Sequence, residues 1–599
     1  MNPFIISLKN NTQISFNKQI SIQELINSKL PFLKKTALFA IIDNSNYVNL
    51  NTILNKNASL VVVTTKQSNL FESILNNDVA NLISKIIKEL NLLPILKQGV
   101  LNSYFYLDFE SDNFNFESLK NLKLEILNFI NKNPIQIKQI TNQLIISNIN
   151  FLKNFEFLKV SALFSKENKN LKRIHGVCSL KKDLLKQKIT KLNNQYQKSH
   201  RYLNKNLFLY TLIPEIGSGF PFFLPNGVIV KNIIRNYLIK EESKAGFIHV
   251  ESPILANQKI YLKSGHYSHY KEDMFPVITT RNNEKFMLRP MTCPHHIQIF
   301  KFFHYSYLNL PIRFAEHSLL FRYEHSGALS GLERVRIMQL TDAHLFVNLK
   351  LLSQEFSNCF NLIIKVLKKF NIKIDSFHFC KHDKNDKIKY YQNENMWIKA
   401  ENLLEDSLKK LNIKYETKIG DAAFYGPKLD IQIKTSLEKI ITISTLQIDF
   451  LSAQKFDAYY INSENKKEYP IIIHRGLIGT FERFLSILIE QNNGLLPLFL
   501  APIQFIIFKI TLKKEINEYA LDFFNYLLKY DFRVILGDDT KRLNLQIRNA
   551  TLRKINYFIF IGEEELKSKT ISFRKINQKN NLKIPWDDFK NLMLKKVAI

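Results

Sequence analysis

At 599 residues the chain is long enough for about four domains, and 45% hydrophobic residues supply several cores, which excludes wholesale disorder. The formal net charge of +31, from 84 Lys and Arg against 53 Asp and Glu, favours a polyanionic partner, nucleic acid first. Lys drifting in alongside the over-used Asn, Ile and Phe would give the same total. Cys178, Cys293, Cys359 and Cys380 have no paired short spacing, so no disulfide framework is expected. The most apolar stretch, 495–508, is interrupted by Pro497, Pro502 and Gln504, short of the ~18 apolar residues of a membrane span. No basic-then-apolar leader opens the sequence. A reducing cytoplasm and no membrane are the expectations.

In chain order, residues 1–64 read as a small α/β module, with alternation over 4–8, helical character over 22–27 and a β-branched strand over 59–65. Residues 65–172 form a second unit with an amphipathic helix near 79–90, several short strands and an Asn-rich surface loop over 142–154. A basic, helical connector is expected over 173–205. Residues 171–210 carry ten Lys or Arg against the single acid Asp183, a density suited to a phosphate backbone. Residues 206–500 hold nearly all the unusual residue clusters. From 501 to 599 strand and helix alternate, which predicts a compact α/β domain with a parallel or mixed sheet.

Three clusters carry the chemistry. Residues 311–346 predict two apolar strands around a loop of small residues, crowded by Arg322, Glu324, Arg334 and Arg336. Guanidinium groups there suit the oxygens of a polyphosphate, although an exposed salt-bridged hairpin has the same composition. Residues 469–490 predict a buried strand entering an amphipathic helix that carries Arg483, with Gly476, Gly479 and Thr480 keeping its start open to a ligand. Residues 227–238 predict a helix, and HVESPIL (249–255) a strand ending at Pro253.

In order, these resemble the three signature motifs of class II aminoacyl-tRNA synthetases. The blocks MLRPMTCPHHIQIF, FRYEHSGALSGLERVR, TDAHLF, DAAFYGPKLDI, TLQIDF and IIIHRGLIGTFERF together resemble the threonyl-tRNA synthetase family. The resemblance is firm over 206–599 and fainter before it. It implies an α/β multidomain chain: a ubiquitin-like (TGS-type) module (1–64), a reduced editing-like domain (65–172), a basic helical linker (173–205), an antiparallel-sheet catalytic domain (206–500) and an anticodon-binding domain (501–599). It implies activation of L-threonine with ATP and Mg2+, transfer to tRNA(Thr), and a homodimer. Carried over, Arg322 binds the α-phosphate, Arg334 and Arg483 the outer phosphates, and Glu324 the adenine amino group. Asp342, Tyr425 and Gln447 line the amino-acid pocket, while Cys293, His344 and His474 match the ligands of the family's zinc. Spacing alone would not reveal that set, since its members stand 51 and 130 residues apart. Arg548, Arg553 and Glu565 are the candidates for tRNA contact, with Gln546 where a lysine is common.

The chain departs from the family pattern at several points. IMQLTD (337–342) stands where GFTQDD is usual, so Met338 replaces an aromatic and Leu340 a glutamine. Thr442 replaces another glutamine, and His295 a glycine. The helix that should read HxxxH carries Asn77 and Asn81, and no Cys-x-x-x-His occurs before residue 172. Asparagine cannot act as a general base near neutral pH, so loss of proofreading of Ser-tRNA(Thr) is expected. The alternative is a catalytically impaired relative that acts as an RNA-binding protein.

Overall fold

The computed structural model describes residues 4–8, 12–43, 45–64, 68–101, 104–111, 114–141, 144–146, 153–163, 171–179 and 181–597. The chain divides into two compact units, Met1–Asn194 and Gln195–Ile599.

Among its described residues the first unit contains two larger sheets and a two-stranded one, Ile20–Ser21 with Ile53–Leu54. One larger sheet has five strands in the order Gln13–Phe16, Phe4–Leu8, Ala58–Thr64, Ala37–Ile42 and Asn46–Val48. Helix Ile22–Lys29 buries Ile22, Leu25 and Ile26, and its first turn is closed by a reciprocal Ser21–Glu24 capping box. The other sheet has four antiparallel strands in the order Phe155–Leu163, Leu171–Cys178, Tyr104–Glu110 and Ile95–Leu101. Helix Ser68–Glu89 begins well before the predicted residue 79 and buries Val79, Leu82, Ile83 and Ile86 in the core that this sheet shares. The expected helical connector is a strand at its start: residues 173–176 are paired on both sides and 177–178 on one, and helix begins only at Lys182. Most of the Asn-rich stretch 142–154 lies outside the described residues, and within it Leu144 and Ile146 are buried.

The second unit is built on an eight-stranded sheet. Its order is Ile248–His249, Ile312–Phe321, Ile337–Val347, Ile471–Thr480, Ile440–Asp449, Lys428–Lys434, Ser376–Lys381 and Glu416–Ile419, antiparallel except for the outermost pair at each end. Helices Leu349–Lys369 and Phe481–Gln491 contribute Phe356, Ile363, Phe484 and Leu488 to its main core. The strand predicted over 249–255 shortens to Ile248–His249, because the chain leaves the edge toward Pro253, which cannot donate to a ladder. Leu255–Asn257 then pairs with Lys285–Leu288 in a separate small sheet.

The C-terminal five-stranded sheet runs Val534–Leu536, Phe505–Lys509, Tyr557–Ile561, Thr570–Lys575 and Leu582–Pro585. Its first three strands are parallel and the rest antiparallel, so it is a mixed sheet. Among the described residues no helix is long and apolar enough to cross a membrane.

Candidate active site

Strand register assembles the site. His474 on the central strand lies directly opposite His344 on one neighbour and Gln447 on the other, and one row along, Gly476 lies between Asp342 and Thr445. Side chains in one row of a pleated sheet share a face, so three segments far apart in sequence present His344, His474 and Gln447 together. Cys293 reaches the same point as the first residue of helix Cys293–Phe303. The donor atoms of Cys293, His344 and His474 lie within 4.8 Å of one another, and all three residues are buried.

Hydrogen bonds behind the imidazoles fix their tautomers. His474 Nε2 lies 3.0 Å from Asp449 Oδ2, so it carries the proton and leaves the Nδ1 lone pair facing the centre. Glu316 Oε2 accepts from His296 Nε2 at 3.1 Å, and His296 Nδ1 then accepts from His344 Nδ1 at 2.9 Å. That leaves His344 Nε2 as a lone pair, 3.1 Å from His474 Nδ1. Two lone pairs aimed at each other repel, whereas a cation between them is attracted to both. Glu316 is held ionised: burial pushes its pKa up, but His296, Ser252 and Arg289 bring it below the usual carboxylate range. Burial, aided by His474 and His296, keeps His344 neutral. One thiol and two imidazoles with anchored second nitrogens are a donor set that fits zinc and leaves a coordination position open.

A second convergence has donor atoms equally close: Glu242, His249 and His317. There the Glu242 carboxylate is paired with Arg475, both side chains fully buried, so its charge is balanced without an ion.

The lone pairs open onto a cleft of about 600 Å³. Tyr425 stacks on His474, with ring centroids 4.8 Å apart, and its hydroxyl donates to Gln447 Oε1 at 2.7 Å. Asp342 accepts from the Thr292 hydroxyl, and burial raises its pKa. Arg322, Arg334 and Arg483 line the same cleft. Arg483 is anchored by its Nε on Glu333 O and its Nη1 on Thr442 O, both at 3.0 Å. Burial and then the positive charge of Arg322 depress its pKa, and a polyanion relieves that crowding. Arg334 and Glu324 meet in a 2.7 Å ion pair.

Met338, Leu340 and Thr442 line the same cleft, and Met338 packs with Leu320 and Val335. His295 does not line it, because its ring turns to the Tyr261 hydroxyl at 3.1 Å. The three C-terminal candidates are placed differently. Arg548 is exposed on helix Leu543–Leu552 and Arg553 caps that helix. Glu565 is buried, accepting from Gly562 N–H at 3.0 Å and Ser572 Oγ at 2.6 Å.

Sequence reasoning did not single out Asp449, His296, Glu316 or His266, whose Nε2 lies 3.6 Å from Cys293 Sγ. The adjacent His295-His296 pair after Cys293-Pro294 was the available signal for one of them.

Residues 274–492 match the tRNA synthetase class II core domain (G, H, P, S and T), and residues 504–596 match the anticodon binding domain. Core, cleft and C-terminal domain thus define a class II aminoacyl-tRNA synthetase. The chain is 33% identical to the threonine–tRNA ligase of Geobacillus kaustophilus (strain HTA426), over 98% of this chain and 97% of that protein. It is 41% identical to that of Mycoplasma genitalium over 81% of this chain and 86% of that one. Among solved structures, that of the RNA binding domain of threonyl-tRNA synthetase from Cryptosporidium parvum Iowa II superposes with a TM-score of 0.62 at 31% identity. That match covers 66% of this chain and 98% of that one. The chain belongs to the threonine–tRNA ligase family, and it is an aminoacyl-tRNA ligase.

Proposed function

We propose that the cleft forms threonyl-adenylate from L-threonine and ATP and passes the threonyl group to the 3′-terminal adenosine of tRNA(Thr). The observation that carries this reading is the pair of facing lone pairs on His344 and His474 beside Cys293, in a cleft also lined by three arginines. Zinc held by Cys293, His344 and His474 would supply a Lewis-acidic face for the amino and hydroxyl groups of threonine. Valine has no such hydroxyl, and a site built around a polar contact rejects the analogue lacking it far more strongly than an apolar pocket could.

The remaining work belongs to the chain's own side chains. Asp342, Tyr425 and Gln447 orient the amino acid. Arg322 meets the α-phosphate and stabilises the charge that builds as the carboxylate attacks, while Arg334 and Arg483 hold the outer phosphates and share their charge with Mg2+. Glu324 reads the adenine amino group. Anchoring of the Arg483 Nε on a backbone carbonyl supports this, since it presents the guanidinium edge without side-chain reorganisation.

The exposed apolar side chains Ile213, Ile216, Phe222, Val228 and Ile248 lie on or next to the strand and helix that open the catalytic segment, and they support a homodimer through this surface. Arg548 and Arg553 are available for tRNA, whereas Glu565 acts inside its own helix cap. Proofreading is lost in this reading: Asn77 and Asn81 sit one turn apart on helix Ser68–Glu89, and Asn81 accepts from Gln98 Nε2 at 3.4 Å, so neutral amides occupy that face.

The test is aminoacylation of tRNA(Thr) by purified protein with threonine, serine or valine. Charging with threonine, negligible charging with valine and Ser-tRNA(Thr) that persists are expected. Equal use of valine would overturn the metal-centred reading, and rapid deacylation of Ser-tRNA(Thr) would overturn the loss of proofreading.

A further inference from the structure

The loop that carries Glu324 and Arg334 is held by a residue more than a hundred positions upstream. Helix His200–Leu207 starts at Ser199, whose hydroxyl accepts from Tyr202 N–H. His200, at its first position, has a side chain only 3% exposed. Its Nδ1 lies 2.8 Å from Glu490 Oε1, and its Nε2 lies 3.2 Å from the backbone nitrogen of Leu332. A backbone N–H can only donate, so Nε2 is the unprotonated nitrogen and Nδ1–H donates to Glu490. The His200 N–H donates to the same Glu490 oxygen at 3.0 Å, and Ser436 N–H donates to the other at 2.8 Å.

The loop is shaped to this ring. Gly331 has a φ of +54°, and a Cβ there would lie 2.3 Å from His200 Nε2. Next to it, Arg201 Nη2 donates to Ser330 Oγ at 2.6 Å. One residue past Leu332, the Glu333 carbonyl is the acceptor that anchors Arg483, and the Glu333 side chain pairs with Lys439. Arg334 follows immediately.

We propose that His200, backed by Glu490 and received by Gly331, is a positioning residue for nucleotide binding: it pins the turn at Leu332 and Glu333, and thereby sets Arg483 and Arg334 for the phosphates of ATP. The proposal rests on the reading of those arginines as the nucleotide grip. The geometry separates two functions of one ring. Nδ1 secures the helix to Glu490, whereas Nε2 alone reaches the loop.

The side-chain amide of glutamine can put an acceptor near the place of Nε2, and that of asparagine a donor near the place of Nδ1. The experiment is ATP–pyrophosphate exchange by full-length His200→Asn, His200→Gln and Gly331→Ala, with KM measured separately for ATP and threonine, zinc measured per chain, and Arg483→Ala as control. Loss of one buried hydrogen bond predicts an ATP KM raised about tenfold in His200→Asn and Gly331→Ala. In His200→Gln it stays within about threefold of wild type. Threonine KM and zinc content hold at wild-type values in all three. A purely structural role would give the reverse pattern: Gln as damaging as Asn, or both KM values rising together, and either result overturns the latch. An ATP KM that rises in Arg483→Ala while His200→Asn stays at wild type sinks the latch and spares the site. Unchanged ATP affinity in Arg483→Ala sinks the nucleotide reading and the latch with it.

Discussion

Two polar clusters sit on well-packed elements of this chain, and they differ in what stands behind their side chains. In the cleft, each imidazole at the Cys293 centre has a fixed partner behind it, Asp449 for His474 and the His296–Glu316 pair for His344. On helix Ser68–Glu89 the corresponding outward positions hold Asn77 and Asn81, with Gln98 and Ser84 as neighbours. The inward face of that helix is fully formed, with Val79, Leu82, Ile83 and Ile86 completely buried. On the proposed loss of proofreading, the fold outlasts its chemistry. The inward positions carry the packing energy, whereas a half-exposed imidazole can become an amide at small cost in stability.

That contrast can be broken, or made sharper, by four measurements. The largest effect is expected for Arg322→Ala, which should lower the rate of threonyl-adenylate formation by about 10²–10³ while zinc content stays at wild type. Loss of zinc in that variant would mean that Arg322 and the Cys293 donor cluster are not separable. Asp449→Ala should weaken zinc binding about 10–100-fold by freeing the His474 ring, read by metal competition with a chelator. An unchanged affinity would remove the distinction between supported and unsupported donors.

The third measurement concerns Asp78, which burial raises to about 6 from an ordinary 3.8 despite the hydrogen bond it accepts from Ile146 N–H. The folded state then binds the proton more tightly than the unfolded one. Its stabilising contribution is complete below pH 3.8 and is lost as pH rises through about 6. Asp78→Asn keeps an acceptor and no charge, so it should stabilise the N-terminal unit at pH 7 by up to ~3 kcal/mol, with the gain vanishing near pH 4. Denaturant melts at the two pH values decide it, and a gain independent of pH would contradict the buried charge. The smallest effect is expected for the double variant Asn77→Ala and Asn81→Ala: Ser-tRNA(Thr) should persist as in wild type, and a marked change in its lifetime would mean that the face still acts.

Much of this architecture was legible because its signals were periodic or contiguous. Alternation gave the strand at 4–8, β-branched residues the strand read over 59–65 and found at Ala58–Thr64, and the apolar face of residues 481–491 the helix behind the central strand. Cys293, His344 and His474 were legible only through the motif blocks around them, since nothing in spacings of 51 and 130 residues announces a shared point. What escaped was set by tertiary pairing. The strand at Leu171–Cys178 hides in a basic stretch because its pairing on both sides, rather than its composition, makes it a strand. The partners Asp449 and Glu316 lie on strands whose relative register only the folded sheet defines. His200 stands in a basic stretch that reads as a helix beside a phosphate backbone, yet its ring is buried against a loop more than a hundred residues away.

The adjacency of His474 and Arg475 has a consequence of its own. Neighbouring residues on a strand point to opposite sides, so the central strand sends an imidazole to the cleft and, one residue later, a guanidinium to the ion pair with Glu242 beneath Phe247. A slip of one residue would drive the guanidinium into the Cys293, His344 and His474 cluster and strand the Glu242 carboxylate without its counter-charge. The buried ion pair thus works as a key in a lock: it accepts a single alignment of the strand, and that alignment is the one in which His474, His344 and Gln447 meet.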